Sequence, residues 1–196
     1  MNKPLIIKIG GSLYPHAREI ISTILDENRT TLIIPGGGGF ADAVRATQVE
    51  GTAAHWMAIA GMEQYGWYLS SFGIETTDIP KFGEEPRVFL PYQFLRLHDT
   101  LPHSWDVTSD TISAFVAHQL SADLLILKSL DQIRAMEKPL DRINAPVKTN
   151  DLDPCFIPFI LENSISGLII NGTIPERIAQ ALRDTPVIGT RFGIII

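Results

Sequence analysis

A mostly parallel β-sheet sandwiched by helices is the fold class this sequence predicts, and three features predict it. Short runs rich in Ile and Leu recur along the chain, two of the earliest run straight into glycine clusters, and segments with helical spacing of apolar residues separate them. Strands buried on both faces read as continuous apolar runs, and their alternation with helices marks a parallel sheet covered on both sides.

Taken in order, Leu5-Ile6-Ile7-Lys8-Ile9 is the first such run, stopped by Gly10-Gly11. Residues 17–25 follow, with Ile20, Ile21, Ile24 and Leu25 on one helical face. Residues 31–34 make the second buried strand, ended by Pro35-Gly36-Gly37-Gly38-Gly39 and followed by a helical pattern over 40–46. A long helix is predicted over 53–72, a strand over 88–90, a helix over 111–120 and a buried strand over 123–127. A strand over 165–170 leads through Asn171-Gly172 into a helix over 175–182, with Pro175 suited to the first turn. Residues 82–87 and 138–154 read as loops, the second long enough to be functional. The apolar end, Gly193-Ile194-Ile195-Ile196, is expected to complete the sheet or an interface.

Composition narrows the function. At 196 residues and 45% hydrophobic, the chain can bury one good core, so one unit over 1–196 is expected. No run approaches the roughly 20 apolar residues of a membrane span. The N-terminus lacks the basic, apolar and small-residue succession of an export signal. Cys155 is the only cysteine, which rules out an intrachain disulfide, a Cys-based zinc site and a redox pair, and fits a reducing cytoplasm. A formal charge of −6 without a basic block argues against a nucleic-acid partner.

Chemistry concentrates at the strand ends. Lys8 stands two residues before paired glycines, where successive N–H groups can form an anion nest beside a helix N-terminus. The alternative is a plain turn with a lysine snorkelling from the strand end. Gly36 to Gly39 favour the first reading, because four glycines lose more entropy on folding than a turn requires. In a doubly wound sheet the carboxyl ends of the strands share one edge, so both glycine loops are expected to open into one crevice. Two anion cradles and a lysine suit in-line phosphoryl transfer.

The segment His103 to Asp110 adds an imidazole, an indole, hydroxyls and two carboxylates just before a helix. Thr108, Ser109 or Asp110 can cap the helix that follows, Ser109 being read in that role, and Asp110 is the second catalytic candidate, orienting ammonium groups or the hydration shell of Mg²⁺. His103, with Ser104 beside it, binds an acceptor anion or satisfies a loop carbonyl. Trp105 stacks on a ring or fills the core, the core being the default. Lys128 points into the crevice to neutralise nucleotide phosphates or is solvated, and Asn171-Gly172 shapes the nucleotide side or is a turn. His55, Trp56, Met57, Met62, Tyr65, Trp67 and Tyr68 are expected to make core or subunit contacts, with some lining an acceptor pocket, and a homo-oligomer is expected.

Lys8-Ile9-Gly10-Gly11-Ser12, Pro35-Gly36-Gly37-Gly38, Thr108-Ser109-Asp110 and Asn171-Gly172 together resemble the amino acid kinase superfamily in order and placement, over nearly the whole chain. Residues 35–41, His55-Trp56-Met57-Ala58 and His103-Ser104-Trp105 look most like its methanofuran-biosynthesis branch, the [5-(aminomethyl)furan-3-yl]methyl phosphate kinases. The resemblance implies an amino acid kinase (carbamate kinase-like) fold, with an acceptor-binding part over about 1–120 and a nucleotide-binding part over about 121–196. It implies transfer of the γ-phosphoryl group of ATP, with Mg²⁺, to a small-molecule phosphate monoester, making a diphosphate. Lys8 would stabilise the transferring phosphoryl, Gly10, Gly11 and Ser12 would cradle ATP phosphates, Gly36, Gly37 and Gly38 would hold the acceptor, and Asp110 would organise the lysine. Isopentenyl phosphate, UMP or a carboxylate are alternative acceptors, and a non-catalytic nucleotide-binding module is the alternative from another class. Where relatives commonly have Thr-Asp-x-Asp-Gly, this chain reads Lys128-Ser129-Leu130-Asp131-Gln132, so a different nucleotide loop is expected. The late catalytic lysine of many relatives would fall to Lys128 or Lys148.

Overall fold

In the computed structural model, which describes residues 4–193, the apolar run Leu5–Ile9 forms β1 and is buried along its whole length. A 3₁₀ turn over Gly11–His16 leads into α1 (Ala17–Glu27), which Asn28 ends in the left-handed conformation. β2 (Thr31–Pro35), α2 (Gly38–Ala46) and α3 (Gly51–Ser70) follow, then β3 (Glu75–Thr77), β4 (Arg87–Phe89) and α4 (Tyr92–Leu97). The second half holds α5 (Ser109–Gln119), β5 (Asp123–Lys128), a hairpin of β6 (Arg134–Ala135) and β7 (Lys138–Pro139), β8 (Arg142–Ile143), α6 (Phe156–Glu162), β9 (Gly167–Asn171), α7 (Pro175–Leu182) and β10 (Thr190–Phe192).

Among the described residues these strands make an eight-stranded sheet in the order β3-β4-β2-β1-β5-β9-β10-β8. β2, β1, β5 and β9 run parallel, so Ile9, Pro35, Lys128 and Asn171 end along one edge. The chain moves outward from β1 first through β2 and later through β5. That reversal makes the carboxyl ends of these strands a crevice.

Alternation within β1 decides which face each side chain meets. Ile7 and Ile9 join α1 and α7 in one core, whereas Ile6 joins Ile34, Ile126 and the α5 residues Ile112, Phe115 and Val116 in the other. Lys8 shares parity with Ile6 and lies opposite Ile126, so it projects on the α5 face. Lys128 is two residues beyond Ile126 and has the same parity.

Several expectations shift. α2 begins at Gly38, so the last two glycines of the cluster form the first helical turn. α5 begins at Ser109 and α3 at Gly51, each two residues earlier than predicted. Segment 138–154 is not simply a loop: it supplies β7 and β8, and β8 extends the main sheet beyond β10. β10 pairs antiparallel with β9, while Ile194 to Ile196, expected to complete the sheet or an interface, lie outside the described residues.

Candidate active site

Lys8 is buried, and its Nζ lies 2.7 Å from Oδ1 of Asp110, which is buried in the first turn of α5. The Nζ of Lys128 lies 2.8 Å from the other oxygen, Oδ2. One carboxylate thus holds two ammonium groups that arrive from adjacent parallel strands. Burial works to raise the Asp110 pKa, but the attraction of Lys8 and Lys128 outweighs it and holds the carboxyl down to about 2. Burial lowers the Lys8 pKa against the pull of Asp110, with the Lys128 charge adding to the lowering. This centre carries a net charge of about +1, because the two cations share one anion.

The glycine loops meet beside it. A Cβ on Gly11 would stand 2.3 Å from both the Cα and the N of Gly38, which itself holds φ +53°. The two backbones therefore touch as only glycine permits. The first N–H groups of the 3₁₀ turn and of α2 have no partner within their own helices, the arrangement that lets a helix start donate to an anion. Ser12 Oγ approaches Ser129 Oγ at 3.2 Å and links the loop after β1 to the loop after β5. Gly11→Ala is expected to separate the loops, costing roughly 2 kcal/mol or more and at least a hundredfold in phosphate affinity. Urea melts and phosphate titration of the variant check this.

Next to the loops lies a cavity of about 320 Å³. Gly11, Ser12 and Gly37 to Gly39 form one side; Ala54, Ile59, Met62, Val107 and Ile112 give it an apolar wall. Asp42, Arg45, His55, Ser104, Trp105, Thr108 and Ser109 supply its polar and aromatic groups. Arg45 pairs with Asp42 at 2.9 Å and lies over the Trp105 ring at 4.4 Å.

Of the residues proposed from sequence, Lys8, Asp110 and Lys128 come together, and Gly11, Ser12, Gly37, Gly38 and Ser104 line the cavity. Gly10 and Gly36 stand behind them, their N–H groups donating to Leu127 O and Ile9 O. His103 turns away: one ring nitrogen contacts Thr52 Oγ1 at 3.0 Å, and the other Asp99 Oδ1 at 2.7 Å. His55 takes its place at the cavity. Trp105 lines the cavity instead of filling the core. Ser109 is not the cap either, since Thr108 occupies that position without a side-chain cap bond. Lys128, not Lys148, makes the carboxylate contact. Asn171 donates to Asp131 at 2.8 Å and accepts from Thr173, while Gly172 N–H donates to Lys128 O at 2.8 Å, so this pair braces the end of β5.

Asp153 was not foreseen. Its carboxylate accepts from the backbone N–H of Thr108 and Thr111, each at 3.0 Å, and from both hydroxyls, capping α5 from a segment more than 40 residues away. It thereby fixes the turn that presents Asp110. Asp153→Ala leaves those buried donors unpaired and is expected to cost about 2–3 kcal/mol, measured by denaturant unfolding.

Among the described residues no three His, Cys, Asp or Glu side chains gather as a metal site, and no helix is long and apolar enough to cross a membrane. No family profile matches the chain. A curated relative, the "[5-(aminomethyl)furan-3-yl]methyl phosphate kinase" of Methanocaldococcus jannaschii, is 27% identical over an alignment covering 95% of this chain and 96% of the relative. Similar solved structures include uridylate kinase from Archaeoglobus fulgidus, with TM-score 0.70, 17% identity, and coverage of 98% of this chain and 100% of that one. UMP kinase from Ureaplasma parvum gives 0.73 at 15% identity, covering 99% and 100%, and an isopentenyl phosphate kinase gives 0.69 at 15%, covering 96% and 99%. The chain has the fold of these kinases, and its sequence is similar to the Methanocaldococcus jannaschii [5-(aminomethyl)furan-3-yl]methyl phosphate kinase along nearly its whole length.

Proposed function

We propose that this protein is a kinase that transfers the γ-phosphoryl group of ATP to a small phosphate monoester, giving a diphosphate, and that an aminomethylfuran phosphate is its acceptor. The observation that carries this is the pair of lysines on one buried carboxylate, beside a cavity bordered by two touching glycine loops. The acceptor is supported by the relative's name and by size. A cavity of about 320 Å³ lies at the small end of the usual range for small-molecule sites, roughly 300–1,000 Å³, which suits one ring better than a nucleotide.

Mg-ATP, when bound, supplies the transferable phosphoryl group and offsets part of its charge. The residues fit such a ligand, since two ammonium groups and two sets of free N–H donors converge on one edge of the sheet. Both oxygens of Asp110 are engaged by lysines, so Mg²⁺ would be held through phosphates and not by this carboxylate. Transfer forms a bond from an acceptor phosphate oxygen to the γ-phosphorus and breaks the bond to the β,γ-bridging oxygen, releasing ADP. Lys8 offsets the charge on the transferring group, and Asp110 opposes the lowering of the Lys8 pKa by burial and aims both Lys8 and Lys128. Gly11, Ser12 and Lys128 are assigned the nucleotide phosphates, and Gly37, Gly38 and Ser104 the acceptor. The cavity is lined by residues between Gly11 and Ile112, and the proposal gives the acceptor to about 1–120 and the nucleotide to about 121–196 within one unit, with the Gly11–Ser12 turn of the first part facing the nucleotide phosphates.

Dependence on ATP makes the cytoplasm the proposed setting. Self-association through α3 belongs to the proposal, supported by the exposure of Met57 and Trp67 on it, and a monomer in sedimentation would rule it out. The test of function is coupled ADP release with Mg-ATP against aminomethylfuran phosphate, isopentenyl phosphate, UMP, aspartate and acetylglutamate. Turnover is expected with the furan phosphate; turnover with a carboxylate alone, or with none of them, overturns the proposal.

A further inference from the structure

Among the described residues, His55 is the one buried polar side chain that borders the cavity. It is 8% exposed, it borders the cavity, and among the described residues neither ring nitrogen is hydrogen-bonded. Neither nitrogen is sealed off from solvent, so the ring keeps an unused hydrogen-bonding capacity open to the cavity. The ring is also fixed in place. It stacks on His103 at 4.3 Å and 22° and meets the edge of Trp56 at 5.0 Å and 83°. His103 is in turn held at both nitrogens by Thr52 and Asp99.

The charge state narrows what this imidazole can bind. Burial, with His103 adding to it and Asp99 opposing, pushes the His55 pKa down to about 4, so the ring carries a lone pair and no charge near neutrality. It has little attraction for a phosphate, which the glycine loops already accommodate. Arg45, the only Lys or Arg among the lining residues, is balanced by Asp42. Besides the glycines, the cavity lining offers an unused acceptor in His55, together with apolar side chains and the Trp105 ring.

We propose that His55 selects the acceptor by accepting a hydrogen bond from a primary ammonium group on its organic part, so that the cavity takes amine-bearing phosphate monoesters. This rests on the kinase assignment above for the phosphate. A charge-assisted bond of this kind is among the stronger ones available to a neutral ring.

Calorimetric titration of the full chain with methyl phosphate, furan-3-ylmethyl phosphate and its 5-aminomethyl form tests it. The wild type is expected to prefer the aminomethyl form over the amine-free ring by roughly ten- to a hundredfold. His55→Leu abolishes that preference while leaving methyl phosphate within about twofold, and His55→Gln, whose side-chain oxygen can accept, restores part of it. His55→Met replaces the leucine variant should that one fail to fold. No preference in the wild type, a preference that survives in the apolar variant, or equal weakening of all three probes overturns the inference. Preference without ADP release overturns the kinase assignment alone, whereas equal turnover of the amine-free ring overturns this inference alone.

Discussion

Asp110→Asn is expected to lower kcat at least a thousandfold and to destabilise the fold by about 3–5 kcal/mol, because it removes the single buried anion that the buried Lys8 and the half-buried Lys128 share. An amide can accept from only one ammonium and must present its NH₂ to the other. The pH dependence provides a signature. With its folded pKa held at about 2 against an ordinary 3.8, Asp110 contributes stability that is fully present above about 3.8 and is lost as pH falls toward 2. Urea melts should therefore show a wide gap between wild type and variant near neutrality that closes in strong acid. A gap independent of pH would contradict the assignment.

Lys8→Ala is expected to lower kcat about a thousandfold or more, since it removes a preorganised charge from the transferring group. Its effect on stability is small by comparison, because Asp110 keeps Lys128 as partner and the burial of one charge is relieved. The acceptor KM should change little, because the cavity is lined by other residues. Lys128→Ala, with Lys8 still in place, should reduce kcat less and raise the KM for ATP more. Steady-state kinetics on folded variants decide this, and near-normal turnover of Lys8→Ala would remove Lys8 from the reaction.

The parts of this centre carried by continuous local signals were legible in the sequence. β1 and β2 announce themselves as Ile-rich runs ending in glycine, and the crevice rule places their loops together. Even the partnership of Lys8 with Lys128 follows from parity, once β1 is paired with β5 in the observed register. Asp153 was hidden, because its contact with Thr108 and Thr111 joins a stretch without periodicity to a helix far away in the chain. β8 is two residues long and has no pattern to detect. His55 was obscured for another reason. α3 is apolar nearly all round, so nothing in its spacing separates a cavity-lining imidazole from core neighbours such as Trp56 and Tyr65. His103, set among polar residues, was read as the acceptor-side imidazole, whereas its nitrogens go to Thr52 and Asp99 and it is His55 that borders the cavity.

Phosphorus NMR of the wild-type protein with Mg-ATP and aminomethylfuran phosphate tests the central claim most directly. A new pair of coupled diphosphate signals on the furan product, growing in step with ADP and absent with Lys8→Ala, is the predicted result. Loss of ATP signal to inorganic phosphate alone, or the same product at an undiminished rate from Lys8→Ala, would contradict transfer at the Lys8–Asp110–Lys128 centre.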